Sequence, residues 1–298
     1  MKKILAVGLI AALFFPVLAY ASSIGGAETQ GQGKINVGYD GEYVFDRDFK
    51  EKKGSYVDDL SDEYTADSIS VEWKTAVEID EMYRNMVKIS YGVLDNLDIY
   101  VKLGTADLEL KQTYTESGSI PDAEWAGVLE KGTSKMDADT AFAYGIGAKG
   151  TLPLSETLFL GCDIQYIRHK NDFTEKGSWT EYNYDDEGNL TSEEEYSADY
   201  KGDVTFQEWQ VAPYVAAKLG NFVPYLGVKY SGAVTKIKYA SVSGDDDDYD
   251  EDNVKDRADD HVGVFVGTDF KITENWKLNV EGRFVDETAV SIGLNYKF

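Results

Sequence analysis

The sequence is poor in the residues from which most active sites and metal centres are built. Its 298 residues include one cysteine, Cys162, and two histidines, His169 and His261. An intramolecular disulfide and a thiolate metal cluster are therefore excluded, and a site with several histidine ligands is not expected. Lysine and arginine number 29 against 54 aspartates and glutamates, which leaves a formal net charge of −25. Because nucleic-acid phosphates are held by basic side chains, this balance argues against nucleic acid as a partner.

Long hydrophobic runs are also scarce, and the one that is present lies at the N-terminus. Lys2 and Lys3 precede an apolar stretch that ends in the A-x-A pattern of residues 19–21. This order predicts a cleaved secretory signal peptide over residues 1–21, followed by a short N-terminal segment over 22–33. No later window contains the roughly 18 apolar residues that a membrane-spanning helix needs.

A two-residue alternation recurs along the rest of the chain, in segments of about ten residues. In the last of them Val290, Ile292 and Leu294 alternate with Ser291 and Gly293. The second face mixes small residues with isolated charges, as a narrow lumen requires, whereas the water-facing side of a soluble sandwich would be broadly charged. The pattern predicts an all-β fold, a transmembrane antiparallel up-and-down β-barrel of about ten strands over residues 34–298, with 8 or 12 strands as alternatives.

Short and long connections alternate between these segments, which is typical of an outer-membrane barrel with its short turns on the periplasmic side. The long connections carry 36 acidic and 12 basic residues, and so hold most of the negative charge of the chain. The predicted short turns are 94–97, 153–157, 220–222 and 273–275, and the predicted long acidic extracellular loops are about 46–68, 109–140, 170–203 and 243–261.

One segment complicates the strand count. Residues 69–93 alternate throughout, and as a single strand they would span roughly 80 Å at ~3.3 Å per residue, more than a bilayer needs. We expect this strand either to project far beyond the membrane or to break near residues 80–85, and a break would favour twelve strands.

Charged and polar side chains on the second face are predicted to pair across the lumen and to fill it, because wide aqueous channels belong to barrels of about 16 strands. They are Lys88, Lys102, Lys149, Asp163, Gln165, Lys229, Asp269, Lys271, Lys277, Glu281 and Arg283.

The C-terminal residues Ser291, Gly293, Tyr296 and Phe298 match the pattern by which the barrel-assembly machinery reads outer-membrane proteins. With this motif, the mature chain resembles bacterial outer-membrane β-barrel proteins of the porin-like or opacity-protein kind. The resemblance implies that these four residues form an assembly signal. It also implies residence in the outer membrane of a Gram-negative-type bacterium, among lipid and lipopolysaccharide. The oligomeric state is left open.

Local matches also resemble the omptin proteases: EWK at residues 72–74, and KYSG at 229–232 ahead of an acidic stretch. Omptins need an Asp/His pair on that stretch and paired acids across a cleft. The stretch holds no histidine before Asp259 and His261, and the opposite side offers only Asp107 and Glu109. Since an activated water needs a positioned base, we expect a non-enzymatic barrel, with an omptin-like protease or another barrel enzyme as the alternative.

The acidic loops contain candidate ligands for Ca²⁺ or Mg²⁺, since both ions prefer carboxylate oxygens. They are Asp245, Asp246, Asp247 and Asp248 in one loop, and Asp185, Glu187 and Glu194 in another. The favoured interpretation of these charges is solvation and surface cover, and of the second group a projecting hairpin that turns near residues 186–189. No other cofactor is predicted. The expected role is envelope structure, surface interaction or limited passage of small solutes.

Overall fold

In the computed structural model, the described residues are 24–58, 69–120, 125–184, 189–242 and 253–298. They form twelve β-strands, and no helix among them is long and apolar enough to cross a membrane. The strands are β1 (Ile35–Asp48), β2 (Lys52–Asp58), β3 (Ile69–Leu94), β4 (Leu97–Ile120), β5 (Trp125–Pro153), β6 (Leu158–Tyr184), β7 (Leu190–Ala217), β8 (Phe222–Val242), β9 (Asn253–Arg257), β10 (Val262–Lys271), β11 (Trp276–Phe284) and β12 (Thr288–Lys297).

Ten of these strands close into an antiparallel ring. Strand β1 pairs with β12 on one side and with β3 on the other, and each remaining strand pairs with its sequence neighbour except where β8 pairs with β10. The prediction of an antiparallel barrel with about ten strands is confirmed. Closure leaves no free edge among the membrane-spanning strands, which is the condition for a sheet to cross a bilayer.

The outward face of the ring is apolar and the inward face is polar, the reverse of a soluble protein. Ile89, Ile146 and Leu226 are exposed, whereas Lys88, Lys149 and Lys229 on the same strands are buried. Strands β10, β11 and β12 have 10, 9 and 10 residues. That is the length a tilted strand needs to cross the hydrocarbon core.

Strands β3 to β8 are much longer than a membrane requires, and they extend the wall at the end opposite the short turns. We call this the long end and the other the turn end. Strand β3 runs without a break over Ile69–Leu94, with a bulge between Ile79 and Glu81. The segment 69–93 therefore projects, and the expected break is only a local register shift.

The segments expected to be long loops are largely strands, which corrects the interpretation of 46–68, 109–140 and 170–203. Strands β4 and β5 pair from Leu97 with Gly150 to Ile120 with Trp125, and β6 and β7 pair up to Tyr184 with Leu190. Charged residues on the outer face of these extensions made them look like loops. Their apolar residues lie on the inner face instead, where Leu108 and Leu110 are buried. The flanks of the hairpin predicted to turn near 186–189 pair with each other, and residues 185–188 of the turn lie outside the described part of the chain.

The wall continues above the short β11–β12 hairpin through β2 and β9. Strand β2 pairs with the outer part of β3, and β9 pairs with β8 from Val234 to Lys238. A bridge between Phe49 and Ala258 joins the two sides. The long end is thus a narrower continuation of the barrel that passes over the β11–β12 turn.

Inward glycines make room for large side chains in the lumen. A Cβ atom built on Gly161 would lie 2.1 Å from Cζ of Tyr214, and one on Gly267 would lie 2.4 Å from the ring of Tyr225. Each tyrosine ring therefore lies over a glycine of a neighbouring strand. This packing explains why glycine recurs on the inward face of strands that would otherwise disfavour it.

We expect Gly161→Ala to destabilise the folded barrel by about 1–3 kcal/mol, because the new methyl group overlaps the Tyr214 ring. Gly150→Ala is the matched control, since the nearest atom to a Cβ at Gly150 is 3.9 Å away. Urea unfolding in detergent micelles measures both variants. Adding Tyr214→Leu should restore much of the loss at Gly161, and equal stability of the two glycine variants would contradict this account of the packing.

Two groups of sequence predictions lie outside the described residues. They are the signal peptide over 1–21 and the cation candidates Asp185, Glu187, Asp245, Asp246, Asp247 and Asp248.

Candidate functional site

The lumen is the candidate functional site, because the inward face of the ring concentrates the buried charges of the molecule. The predicted lumen residues lie there, and nine of them are buried: Lys88, Lys102, Lys149, Asp163, Gln165, Lys229, Asp269, Glu281 and Arg283. Lys277 lies 3.1 Å from Asp269. Lys271 is at the turn end, where it pairs with Glu28 at 3.0 Å and is partly exposed.

Four cations and four carboxylates meet in the middle of the lumen, and we call them the central network. They are Glu42, Arg47, Arg84, Glu208, Lys229, Arg283, Asp286 and Glu287. Their formal charges cancel, and no side chain of the eight is more than 4% exposed. Burial of this many charges is tolerated only when each is paired.

Glu208 on β7 joins two arginines from the other side of the barrel. Nη1 of Arg47 lies 2.7 Å from Oε1 of Glu208, and Nη2 of Arg84 lies 2.9 Å from Oε2. Arg47 also contacts Oε2 of Glu287 at 3.0 Å, and Arg84 pairs with Glu42. These contacts tie β1 and β3 to β7 across the lumen.

Arg283 and Lys229 complete the network on the β8 and β11 side. Arg283 contacts Glu42 at 3.1 Å and Glu287 at 2.9 Å. Lys229 pairs with Asp286 at 2.9 Å and also with Glu287. Side chains from opposite walls therefore meet, and the central network spans the lumen from one wall to the other.

The turn between β11 and β12 supplies two of these carboxylates because it folds inward. Val285 has a φ of 87°, a region that β-branched residues rarely adopt. Asp286 and Glu287 follow it and are buried, and the Ser231 hydroxyl donates to Oδ2 of Asp286 at 2.7 Å. The strained backbone at Val285 thus directly precedes the two acids that the turn places inside the barrel.

Sequence reasoning missed most of this network. Continuing the alternation of Lys88 and Met86 along β3 would have placed Arg84 inward. Arg47 lay in a segment interpreted as a loop, and Asp286 and Glu287 were not among the residues predicted to face the lumen.

A second feature the sequence did not predict is the position of the N-terminal segment inside the turn end of the barrel. We call residues 24–28 the inner segment. Ile24 and Ala27 are buried, and the Ala27 amide donates to Oδ2 of Asp269 at 2.9 Å. The Tyr214 hydroxyl donates to the Ala27 carbonyl at 2.8 Å. The inner segment therefore occupies the lumen on the turn-end side of the central network.

Lysines of the lumen bind the inner segment through its backbone. Lys88 donates to the Ile24 carbonyl at 3.2 Å, and Lys149 donates to the carbonyls of Ile24 and Gly26. Ile24 packs in an apolar cluster with Phe159, Ala212, Ala216, Val223 and Phe265, among others. The segment is thus held by both polar and apolar contacts.

Beyond the central network, the lumen of the long end is mainly apolar and then opens into a cavity. Ile79, Met82, Phe173, Val204 and Phe206 form part of one buried cluster. Above it lies a cavity of about 600 Å³ lined by residues of the eight strands from β2 to β9, among them Tyr114, Trp179 and Tyr239. The sequence predicted small residues and isolated charges on the inward face, and this apolar layer departs from that prediction.

The residues considered for omptin-like chemistry do not converge. Glu109 is on the outer face of β4, where it pairs with Lys135 at 2.5 Å. His261 is at the start of β10, with Nδ1 3.0 Å from the Ser231 carbonyl oxygen, and Asp259 is exposed. Asp107 neighbours Glu109 on the same outer face, so these acids do not face His261 across a cleft.

Of the predicted cation ligands, only Glu194 is described. It is exposed on β7 opposite Glu181, and the Tyr196 hydroxyl donates to it at 2.7 Å. A different trio, Asp46, Asp48 and Glu78, has carboxylate oxygens within 4.8 Å of one another on the outer surface. Because Glu78 already accepts from Lys111, these contacts do not by themselves indicate a metal site.

The predicted assembly residues lie on β12, which closes the ring against β1, and directly after it at Phe298. Ser291 and Gly293 face the lumen, with Gly293 opposite Asp40. Tyr296 packs on Trp276 at 4.9 Å and on Phe298 at 4.8 Å between ring centroids, and Phe298 is 66% exposed. The arrangement gives the end of the closing strand an aromatic outer face.

The closed ring, its apolar outer belt and its charged lumen define an integral outer-membrane β-barrel. Residues 30–243 match the family model described as Chlamydia major outer membrane protein, and the chain belongs to that family. It is similar to the major outer membrane porin, serovar E, of Chlamydia trachomatis, with 22% identity over 89% of this chain and 85% of that protein. The major outer membrane porin of Chlamydia pneumoniae is also 22% identical, over the same shares. These relatives place the chain in the cell outer membrane.

Among solved structures, the outer membrane protease OmpT of Escherichia coli aligns with a TM-score of 0.48 and 14% identity, over 88% of this chain and 97% of that one. The toluene transporter TodX of Pseudomonas putida aligns with a TM-score of 0.31 and 9% identity, over 94% and 95%.

Proposed function

We propose that this protein is a non-enzymatic outer-membrane barrel whose lumen is closed at rest, and that it serves the envelope as a structural and surface protein. The central network carries the proposal. Eight buried and mutually paired charges join opposite walls of the barrel, and the inner segment fills the lumen beside them. An ion crossing the barrel would have to separate these pairs in a medium of low dielectric, which is costly.

In this proposal the turn end faces the periplasm and the long end faces outward. Short periplasmic turns and longer outer extensions are the usual asymmetry of such barrels. Lipid and lipopolysaccharide are then the surroundings of the apolar belt, and the assembly machinery reads β12 through Ser291, Gly293, Tyr296 and Phe298. The acidic outer faces, with Glu194 among them, would bind Ca²⁺ or Mg²⁺ only as loosely held counterions.

Planar-bilayer recording tests the closed lumen. We expect the wild-type protein to give no steady ohmic conductance. A variant that lacks residues 24–28 and carries Arg84→Ser and Glu208→Ser should give discrete conductance steps. It loses the inner segment and the three ion pairs that Arg84 and Glu208 make, while the net charge of the network is unchanged.

The variant also serves as the control for reconstitution, since its steps show that the protein has inserted. Migration before and after heating on a gel confirms that both proteins are folded. A wild-type protein with steady single-channel conductance would contradict the proposal.

That outcome would instead support limited passage of small solutes, the second candidate function. The names of the relatives favour it, because the chlamydial proteins are described as porins. Swelling of liposomes in small neutral sugars would then give the size limit of the open state.

The placement of Asp107, Glu109, Asp259 and His261 supports a non-enzymatic role over an omptin-like protease. A peptide-cleavage assay on the purified protein, compared with Asp259→Ala and His261→Ala, tests this part. Cleavage that both substitutions abolish would contradict it.

A further inference from the structure

The cavity at the long end has a composition that the closed lumen does not explain. We call it the upper cavity. Four aromatic side chains line it, Tyr114, Trp179, Tyr200 and Tyr239, and its volume is about 600 Å³. That volume is within the range of small-molecule sites, and a concave aromatic lining with a few polar groups is their usual composition.

Three carboxylates also line the upper cavity, against one basic side chain. They are Glu130, Glu175 and Asp256, and the base is Lys52. Burial, and then the neighbouring carboxylates Glu116 and Glu181, raise the pKa of Glu130. The lining of the cavity therefore carries an excess of negative charge, and its environment disfavours any further negative charge.

Two of these carboxylates are buried, and only part of their hydrogen-bonding capacity is satisfied. Glu175 is 4% exposed and Asp256 is 2% exposed. Within the described part of the chain, Oε2 of Glu175 and Oδ2 of Asp256 have no hydrogen-bond partner. Lys52 contacts the other oxygen of Asp256 at 2.6 Å, but its own side chain is 39% exposed. A buried carboxylate oxygen that lacks a donor costs free energy unless something supplies one.

The aromatic rings are held in place around these acids. Tyr239 packs edge-on against Phe173 at 5.7 Å and against Tyr200 at 5.8 Å. Tyr239 also hydrogen-bonds Glu175, and burial, followed by the charge of Glu175, raises the pKa of its phenol. The phenol thus stays protonated and donates to Glu175, which fixes the carboxylate beside the ring.

We propose that the upper cavity binds a small organic cation, whose ammonium group is attracted by the aromatic rings and neutralised by Glu175 and Asp256. Aromatic faces attract cations, and the attraction is strongest where water is excluded. A neutral sugar would use the rings but would leave the excess carboxylate charge uncompensated. The inference goes beyond the closed lumen, since binding from the long end needs no passage through the central network.

Titration calorimetry on the full-length protein in detergent micelles tests this proposal. Choline is the probe, and its uncharged analogue of the same shape, 3,3-dimethyl-1-butanol, is the matched comparison. We expect choline to bind at least about tenfold more tightly than the uncharged analogue. Its positive charge can make about one cation–π contact and one ion pair that the alcohol cannot make.

Glu175→Gln combined with Asp256→Asn should weaken choline binding at least about tenfold while leaving the alcohol unchanged. Glu72→Gln is the matched control, because Glu72 is an exposed carboxylate on the outer face of β3. It should bind choline as the wild type does. Tyr239→Leu tests the rings separately, and heat-dependent gel migration establishes that each variant is folded.

Three results would overturn the proposal: equal affinity for choline and the alcohol, no choline binding at 100-fold molar excess over protein, or unchanged binding in the Glu175→Gln/Asp256→Asn variant. Binding of glucose without choline would show a carbohydrate site and would also overturn it. None of these results depends on whether the lumen conducts.

Discussion

Replacing Glu208 with alanine is expected to lower the free energy of unfolding by roughly 3–5 kcal/mol, because it leaves two buried arginines without their shared carboxylate. Both oxygens of Glu208 are used, one by Arg47 and one by Arg84. Both arginine side chains are fully buried, so water cannot readily replace the lost carboxylate. Equilibrium unfolding in urea from detergent micelles or lipid vesicles measures the loss.

Glu193→Ala is the matched control for this change. Glu193 is on the same strand, β7, but is exposed on the long extension. Its removal should change stability by no more than about 0.5 kcal/mol. Removing Arg84 together with Glu208 should cost less than the sum of the two single changes, since the pair is then deleted as a unit. Equal stability of the Glu208→Ala and Glu193→Ala variants would show that the central network contributes little.

Deleting residues 24–28 is expected to open the turn end of the lumen to water while leaving the central network intact. The deletion removes the apolar contact of Ile24 and the backbone bonds to Asp269, Tyr214, Lys88 and Lys149. Ala212, which is fully buried in the cluster around Ile24, should then become accessible.

Thiol labelling reads this accessibility directly. The native thiol is removed by Cys162→Ser, and Ala212→Cys places a single thiol inside the barrel. A small charged methanethiosulfonate should modify position 212 at least about tenfold faster after the deletion, since thiol reactivity follows exposure.

Ser155→Cys, on an exposed short turn, should react at the same rate with and without residues 24–28. If position 212 reacts equally fast in both proteins, the inner segment does not seal the turn end. The measurement is independent of conductance, because the central network still closes the barrel.

Alternation along single strands was enough to predict which residues face lipid and which face the lumen. Lys149 and Ile146 on β5 lie on the faces predicted for them, because side-chain direction in a strand depends only on position along it. The same alternation of side-chain direction holds for residues 109–120, although this segment looked like a loop in the sequence. There the outer face meets water and is charged, so a strand resembles a polar loop.

The partners across the lumen could not be predicted in this way. Arg47 and Glu208 are 161 residues apart, and Arg47 and Glu287 are 240 apart. Which inward side chains meet depends on the register of every strand between them and on the stagger at which the ring closes. No local sequence pattern contains information on all of these registers together.

By itself, therefore, the sequence determined the barrel, its approximate strand number, its short turns and its outer-membrane class, since each rests on periodicity or on short motifs. Only the tertiary structure decided that eight paired charges meet across the lumen, that the N-terminal segment lies within it and that an aromatic, acidic cavity forms at the long end. Those features arise from contacts between distant strands, and closure of the ring is what brings the strands together.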